Sequence, residues 1–325
     1  MPREPMNHNL AEDEEGLLSR VAWYYYHDGL TQHEVGHRLG LSRIKVSRLL
    51  ERGRRAGIIG FKINSQYSGC IELESQLCTA FGLREAIVIP PLEPNGGDAV
   101  PSVNERLAQA SASYLMSFLT EGNLLAIGWG DTVTRILGRL GYFLGTTGAS
   151  VVSLTGGFST YIQVIGGLGA ALAQPHRLFM IPAPLVVSTV STADALKQEP
   201  DVRDVMAMTR PANFALVGIG AVDEDASFVR GGYVSKAEML GYRRQGAVGD
   251  VLGRFLGRDG EVLDLDIHRR IVGVDLQGLR ELPCVIGVAG GTTKVDAIRS
   301  ALRGGYLDII ITDMTTARSV LEPGR

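Results

Sequence analysis

The segment LTQHEVGHRLGLSRIKVSRLL, residues 30–50, has the pattern of two short helices joined by a tight turn. Thr31, followed three residues later by Glu34, forms a capping box that begins a helix. Gly40 lies where the turn needs a positive φ angle. Ser42 is a second helix-capping residue, and the apolar residues after it recur at helical spacing. This segment therefore predicts a helix-turn-helix.

Basic residues are concentrated around the second of these helices. Between residues 38 and 62, eight Lys or Arg residues accompany a single acid, so this segment carries +7 while the remaining residues sum to −10. The second helix of a helix-turn-helix lies in the major groove, where Arg and Lys hold phosphates or pair with guanine. We expect Arg52, Arg54 and Arg55 to add phosphate charge. The predicted DNA-binding residues are Thr31, Gln32, Ser42, Arg43, Lys45, Ser47 and Arg48.

Two other interpretations of the basic segment remain open. It is also compatible with a solvated amphipathic helix that follows a helical hairpin. A helix lying on a membrane surface fits less well, because the apolar face is narrow and has no Trp or Phe. The clustering of positive charge on a chain of net charge −3 favours the DNA-binding interpretation.

The length of 325 residues allows two domains. Residues 1–15 are charged and polar, and we expect them to be a disordered tail. The helix-turn-helix domain is predicted over residues 16–64. The polar, turn-prone stretch NSQYSG follows at residues 64–69, so we predict that a larger effector-binding and oligomerisation domain occupies residues 65–325.

The larger domain alternates apolar strands with helices. Such alternation predicts an α/β fold with a mostly parallel sheet covered on both faces, and ligands of such sheets bind beyond the carboxyl ends of the strands. The predicted strands are AIVIP, LLAIG, SVVSLTG, FALVGIG, RIVGV, CVIGVAG and DIIIT.

Neither a metal site nor a cofactor is expected. The three cysteines have no metal-ligand spacing, and an odd number of them favours a reducing cytoplasm. The longest apolar runs are too short to span a bilayer, so no membrane partner is expected.

The segment LLAIGWGDTVTRIL predicts a strand, a glycine turn and a helix. Gly128 and Gly130 allow the backbone to approach a ligand closely. The helix that begins at Asp131 or Thr132 offers backbone N–H groups to a phosphate or carboxylate. An ordinary capped turn without a ligand is an equally good interpretation of this segment alone.

Two further strand ends, SLTGGFS and VAGGTTKVDAI, are also rich in glycine. Lys294 lies in the first turn of a helix, where the dipole disfavours a cation unless an anion compensates it. In GAVGDVLGRFL, Asp250 is expected near a helix start, as an acceptor for sugar hydroxyls or as a plain cap. Together these ends predict a site for a small sugar, polyol or sugar phosphate. The predicted effector-binding residues are Gly128, Gly130, Asp131, Thr132, Thr155, Gly157, Asp250 and Lys294.

The chain resembles the SorC family of sugar-responsive bacterial transcriptional regulators from about residue 16 to residue 318. The resemblance rests on the N-terminal segment quoted first, on GWGDT, LTGG and GAVGD, and on AGGTTKVDAIRSALRGGYLDIIITDMTTA. It implies a DNA-binding domain, an effector domain similar to sugar-phosphate isomerases and deaminases, and a tetramer built as a dimer of dimers. It also implies phosphate-holding roles for Gly128, Gly130, Thr132 and Lys294, and a hydroxyl-binding role for Asp250.

Two details of the resemblance bear on the effector. Some family members carry an arginine shortly after the LTGG-like segment, whereas this chain has FSTYIQVIGG, so phosphorylation of the effector stays open. The run VAWYYYHDGLTQ, residues 21–32, resembles regulators of polyol operons, including erythritol catabolism.

The sequence supports a ligand-switched repressor or activator that binds operator DNA, with no catalytic residues. The alternative is a sugar-phosphate isomerase or deaminase that uses the same pocket. Such chemistry needs a positioned base, and the glycine motifs hold no histidine. His176 and His268 lie elsewhere and are expected to be surface or satisfied residues. A purely structural protein would leave the basic segment unexplained.

Overall fold

Four short helical segments make up the N-terminal part of the computed structural model. The structure describes residues 14–60, 67–91, 102–157 and 177–322, and it divides into two units, residues 1–65 and residues 66–325. Most of the predicted tail lies outside the described residues. The helical segments of the first unit are α1 (Glu14–Ala22), a π-helical turn (Trp23–His27), α2 (Gln32–Leu39) and α3 (Arg43–Arg55).

The predicted caps of α2 and α3 are confirmed. The Thr31 Oγ1 accepts the Glu34 N–H at 3.3 Å, and the Glu34 carboxylate accepts the Thr31 N–H at 2.8 Å. Gly40 ends α2 with a φ of 69°, and the Ser42 Oγ accepts the Lys45 N–H at 3.2 Å. The buried core of this unit consists of Val21, Val35, Val46, Leu49 and Leu50.

The second unit is an α/β structure, as predicted. No described helix is both long and apolar enough to cross a membrane. The helices of the second unit are α4 (Ser68–Phe81), α5 (Val103–Met116), α6 (Asp131–Thr147), α7 (Val190–Gln198), α8 (Pro200–Met208), α9 (Ser227–Arg230), α10 (Lys236–Arg244), α11 (Asp266–Arg269), α12 (Leu276–Arg280), α13 (Val295–Arg303) and α14 (Met314–Leu321).

A mostly parallel sheet runs through the second unit in the order β1-β9-β8-β5-β2-β3-β4. An antiparallel hairpin, β6–β7, is joined to the end of β5. The strands are β1 (Glu85–Ile89), β2 (Leu124–Ile127), β3 (Ser150–Ser153), β4 (Leu178–Phe179), β5 (Phe214–Ala221), β6 (Gly249–Val251), β7 (Arg254–Leu256), β8 (Val285–Val288) and β9 (Ile309–Asp313).

Apolar cores cover both faces of the sheet. On one face α5 and α6 contribute buried residues such as Leu107 and Ile136. On the other face α4, α12 and α13 contribute Leu73, Leu276 and Ile298. The chain leaves β2 toward β3 on one side and leaves β5 toward β8 on the other, which makes the ends of β2 and β5 a topological switch point. Open α/β sheets bind their ligands at such a point.

Two predictions about local structure are wrong. GAVGDVLGRFL forms the β6–β7 hairpin, so Asp250 lies in a strand and does not begin a helix. The apolar residues here recur at helical spacing, but Leu252 and Gly253 adopt positive φ angles of 52° and 75° and turn the chain back. RIVGV is buried, yet Ile271 and Gly273 make only isolated bridges, to Val186 and Thr155.

Candidate functional site

The exposed face of α3 carries three cations. Arg43, Lys45 and Arg48 are exposed, while Val46, Leu49 and Leu50 on the opposite face are buried. None of the three cations forms an ion pair with another described residue. Their charge is therefore available to an external anion such as a DNA phosphate.

The basic residues in the last turns of α3 differ from this face. Arg52 forms an ion pair with Glu14, and Arg55 forms one with Glu51. Their charges are compensated within the chain, so the expected phosphate contacts of Arg52 and Arg55 would compete with these pairs.

Two structural features of this motif were not predicted from the sequence. Ile44 is one of the apolar residues of α3, yet its side chain is 67% exposed, between the cations Arg43 and Lys45. Gly36 lies against the turn, and a Cβ there would be 2.6 Å from the Leu41 carbonyl oxygen. Only glycine therefore allows α2 and the turn to pack this closely.

A pocket of about 290 Å³ lies over the ends of β2 and β5, at the topological switch point. A cavity of this size suits a small metabolite. The polar residues that line it include Asn104, Asp131, Thr132, Asp223, Asp225, Ser227, Arg230, Asp250, Thr293 and Lys294.

Helix α6 begins at one wall of this pocket. Gly130 precedes it with a φ of 130°, a conformation that L side chains rarely adopt, and no described side chain caps the helix. Thr132 is buried in the first turn. The Asp131 carboxylate accepts a hydrogen bond from the Arg135 Nε at 2.9 Å, and this interaction raises the pKa of Arg135. The uncapped N–H groups and helix dipole favour an anionic ligand group.

Lys294 enters the pocket from the 3₁₀ turn that precedes α13. The turn is fixed by the Gly291 N–H, which donates to the Asp313 Oδ2 at 3.0 Å and to the Thr316 Oγ1 at 2.8 Å. Burial lowers the pKa of Lys294, and the charge of Asp250 opposes this shift. A ligand phosphate or carboxylate would compensate this half-buried cation.

Asp250 enters the pocket from β6. Its side chain is buried, and its Oδ2 accepts the Gly253 N–H at 3.0 Å. Burial raises the pKa of Asp250 to about 6, against opposing effects of this hydrogen bond and of Lys294. The hairpin turn holds Leu252 at a positive φ, and such strained residues are found at binding sites.

Gly220 in β5 makes room for this carboxylate, which the sequence did not indicate. A Cβ at Gly220 would lie 1.9 Å from the Asp250 Oδ1, so Gly220→Ala must displace Asp250. We expect this variant to lose about 1–3 kcal/mol of unfolding free energy, measured in urea. The matched control is Gly218→Ala on the same strand, whose Cβ would have its nearest neighbours at 3.9 Å. Equal losses in the two variants would contradict this packing.

The raised pKa of Asp250 also makes stability depend on pH. Because the folded state binds the proton more tightly, the contribution of Asp250 to stability is fully present below about pH 4 and is lost as the pH rises through about 6. Asp250→Asn removes the buried charge, so its stability relative to wild type should grow by about 1–2 kcal/mol between pH 5 and pH 8. Urea unfolding at both pH values measures this difference, and a pH-independent difference would show that Asp250 does not titrate in this range.

Three predicted effector-binding residues do not line the pocket. The Gly128 N–H donates to the Leu216 carbonyl in the sheet. The Gly157 N–H donates to the Ala183 carbonyl at 2.9 Å, so it is not available to a ligand. Thr155 is buried beside Gly273. Gly130, Asp131, Thr132, Asp250 and Lys294 are brought together, and FSTYIQVIGG lies outside the described residues.

Arg230 is a second cation of the pocket that the sequence did not indicate. It lies at the end of α9, where it donates to the Asp225 carbonyl and to the Ser227 Oγ. No motif marks this arginine. By contrast, the satisfied state expected of His268 is confirmed, since its Nε2 accepts the Phe255 N–H at 2.8 Å.

Family models match both units. The model described as "Putative sugar-binding domain" matches residues 65–322, and the model of sigma-70 region 4 matches residues 21–56, which include the helix-turn-helix.

Curated relatives and solved structures match nearly the whole chain. A transcriptional regulator LsrR of Klebsiella pneumoniae is 48% identical, and the match covers 96% of this chain and 94% of that protein. A transcriptional regulator LsrR of Escherichia coli K12 is 44% identical, and the match covers 95% of both chains. The solved structure of the full-length sorbitol operon regulator SorC of Klebsiella pneumoniae is 26% identical. The match covers 96% of this chain and 100% of the SorC chain, and the two superpose with a TM-score of 0.66.

A second solved structure is the sugar-binding domain of a transcriptional repressor from Vibrio fischeri. It is 27% identical, covers 77% of this chain and 98% of its own, and superposes with a TM-score of 0.63. Because these proteins are transcriptional regulators, the isomerase or deaminase alternative is not supported. The chain belongs to the SorC family of sugar-binding transcriptional regulators.

Proposed function

We propose that this regulator controls a carbohydrate or polyol catabolic operon, and that a small sugar, polyol or sugar phosphate in the pocket changes its affinity for operator DNA. The observation that carries the proposal is the meeting of Lys294, Asp250 and the uncapped start of α6 at the switch point of the sheet. The sorbitol operon assigned to the SorC structure supports this class of pathway.

The effector would make two kinds of contact. Its hydroxyl groups would donate to the Asp250 carboxylate, and an anionic group would lie between the start of α6 and Lys294. Arg230 adds a second cation on the same pocket that could bind this anionic group. Charged hydrogen bonds of this kind contribute about 1.5–3 kcal/mol each.

The DNA contacts would come from α3 and the start of α2. Arg43, Lys45 and Arg48 would enter the major groove, and Ile44 is exposed beside them for contact with a thymine methyl. Ser47 would add a polar contact from the same face. Thr31, Gln32 and Ser42 would bind the phosphate backbone.

The assembly and compartment follow from this role. Helix-turn-helix proteins commonly bind two half-sites as dimers, and the family resemblance adds a dimer of dimers. We therefore propose a homotetramer whose subunit packing changes with effector. A protein that binds operator DNA acts in the cytoplasm, where the bacterial chromosome lies.

Two steps test the function. A thermal-shift screen of sugars, polyols and their phosphates identifies an effector, since a ligand at a hundred times its Kd adds about 2.7 kcal/mol. Fluorescence anisotropy with an operator selected by the wild-type protein from random DNA then measures affinity with and without that effector. An effector that leaves the DNA affinity unchanged would contradict the proposal, and so would turnover of the screened sugar phosphates.

A further inference from the structure

We propose that the groove between α7–α8 and α12 is a second anion-binding site, separate from the effector pocket, and that it takes a small metabolite with a phosphate or carboxylate group. The groove has a volume of about 890 Å³ and lies wholly within the second unit. The inference does not depend on the role of the effector pocket.

Arg254 is the residue that requires an anion. Its side chain is only 6% exposed, it lines the groove, and its Nη1 is buried with no hydrogen-bond partner among the described residues. A buried guanidinium without a partner costs several kcal/mol, and for this reason buried charges in proteins are paired. No described residue forms an ion pair with Arg254, and the charge of Asp275 acts on it only without direct contact, so an anion in the groove would supply the missing pair.

A second cation lies beside it. Lys197, at the end of α7, is half-buried and lines the same groove. Burial lowers the pKa of Lys197, and the charge of Arg254 lowers it further, whereas Asp194 and Asp275 oppose the shift. Burial also lowers the pKa of Arg254 to about 10, against the charge of Asp275. Two neighbouring cations that destabilise each other are characteristic of a site built for an anion.

The carboxylates near the groove are engaged elsewhere or lie at its margin. The Asp275 Oδ1 accepts the Gly278 N–H at 2.8 Å and thereby caps α12. Asp204 forms an ion pair with Arg203 at 3.1 Å. Glu281 is exposed on the groove wall. A planar guanidinium binds two oxygens of a phosphate or carboxylate at once, and Lys197 would add a point charge.

The hairpin places this site back to back with the effector pocket. Asp250 pairs with Phe255, and Arg254 pairs with Val251 across the two strands. Because side chains alternate between the faces of a strand, Asp250 and Arg254 lie on opposite faces of the same hairpin. An anion at Arg254 would therefore act on the strands that position Asp250.

Anion titrations of the full-length protein test the site. Inorganic phosphate and acetate are added at constant ionic strength, balanced with chloride, and the melting temperature and binding heat are measured. These two arms distinguish phosphate from carboxylate recognition. All variants are made in the Lys294→Met background, in which the effector pocket lacks its lysine. We expect at least one anion to stabilise this protein, and the added Lys197→Gln change to weaken that binding at least tenfold. The matched control is Arg139→Gln, an exposed arginine on α6, which should bind like the Lys294→Met protein.

Arg254→Met gives a second and opposite signature. Without added anion it should melt no lower than the Lys294→Met protein, because it removes an unpaired buried charge, and it should not respond to either anion. If Arg254→Met does not fold, the comparison of anion binding by Lys197→Gln and Arg139→Gln still tests the proposed site. Equal anion responses in those two variants would overturn the proposal. A change of oligomeric mass in Lys197→Gln without an anion response would also overturn it, in favour of a carboxylate from a second copy.

Discussion

Replacement of both Arg43 and Arg48 by alanine is expected to weaken operator binding about a thousand-fold. Each good side-chain contact to a base is worth about 1–3 kcal/mol, and two such contacts account for this factor. If the two arginines bind phosphates instead, the slope of log K against log salt should become less steep by about 2 in the double variant. Anisotropy titrations at KCl concentrations between about 50 and 300 mM measure both the affinity and its salt dependence.

The matched control for this experiment lies on the same helix. Arg52 and Arg55 are already paired with Glu14 and Glu51, so their double replacement by alanine should cost much less affinity. Exposed ion pairs contribute at most about 1 kcal/mol to stability, and the control variant should fold normally. Similar losses in the two double variants would show nonspecific attraction, and unchanged binding in Arg43→Ala/Arg48→Ala would remove the DNA assignment of α3.

Lys294→Met is expected to lower the affinity for the effector by about a hundred-fold or more while leaving effector-free DNA binding unchanged. The loss follows because a half-buried cation at the pocket would no longer meet the anionic group of the ligand. Calorimetric titration with the effector found by the thermal-shift screen measures the affinity.

A second lysine provides the control for this variant. Lys236 is exposed on α10 and forms a surface ion pair with Glu224 at 3.3 Å. Lys236→Met should bind the effector like wild type. Full effector response in Lys294→Met would mean that the anionic group lies elsewhere, for example at Arg230, the other cation among the described residues that line the pocket.

Local signals in the sequence were sufficient for the helix-turn-helix. Each of its three signals depends only on residues at most four positions away along the chain. These signals are the capping box at Thr31, the turn at Gly40 and the cap at Ser42, and all three are present. The exposure of Ile44 was not predictable in this way, because helical spacing does not say where the buried stripe ends.

The pocket was only partly predictable, because local signals mark some of its residues and not others. Glycine turns at strand ends identified Gly130 and Lys294. Gly220 and Arg230 carry no local signal, since their roles depend on neighbours distant in sequence. In GAVGDVLGRFL we expected Asp250 near a helix start, but Gly249 packs where a Cβ would lie 2.4 Å from the Ala297 Cβ, and the segment pairs with β5 instead.

The central claim is that the effector pocket and the DNA-reading helix are coupled. The most direct test measures DNA affinity with and without saturating effector, and effector affinity with and without saturating operator, in the same buffer. The account predicts that both affinities change by the same factor, as linkage requires, and that Lys294→Met abolishes this change at the same effector concentration. Identical DNA affinity of the wild-type protein in the presence and absence of bound effector would contradict it.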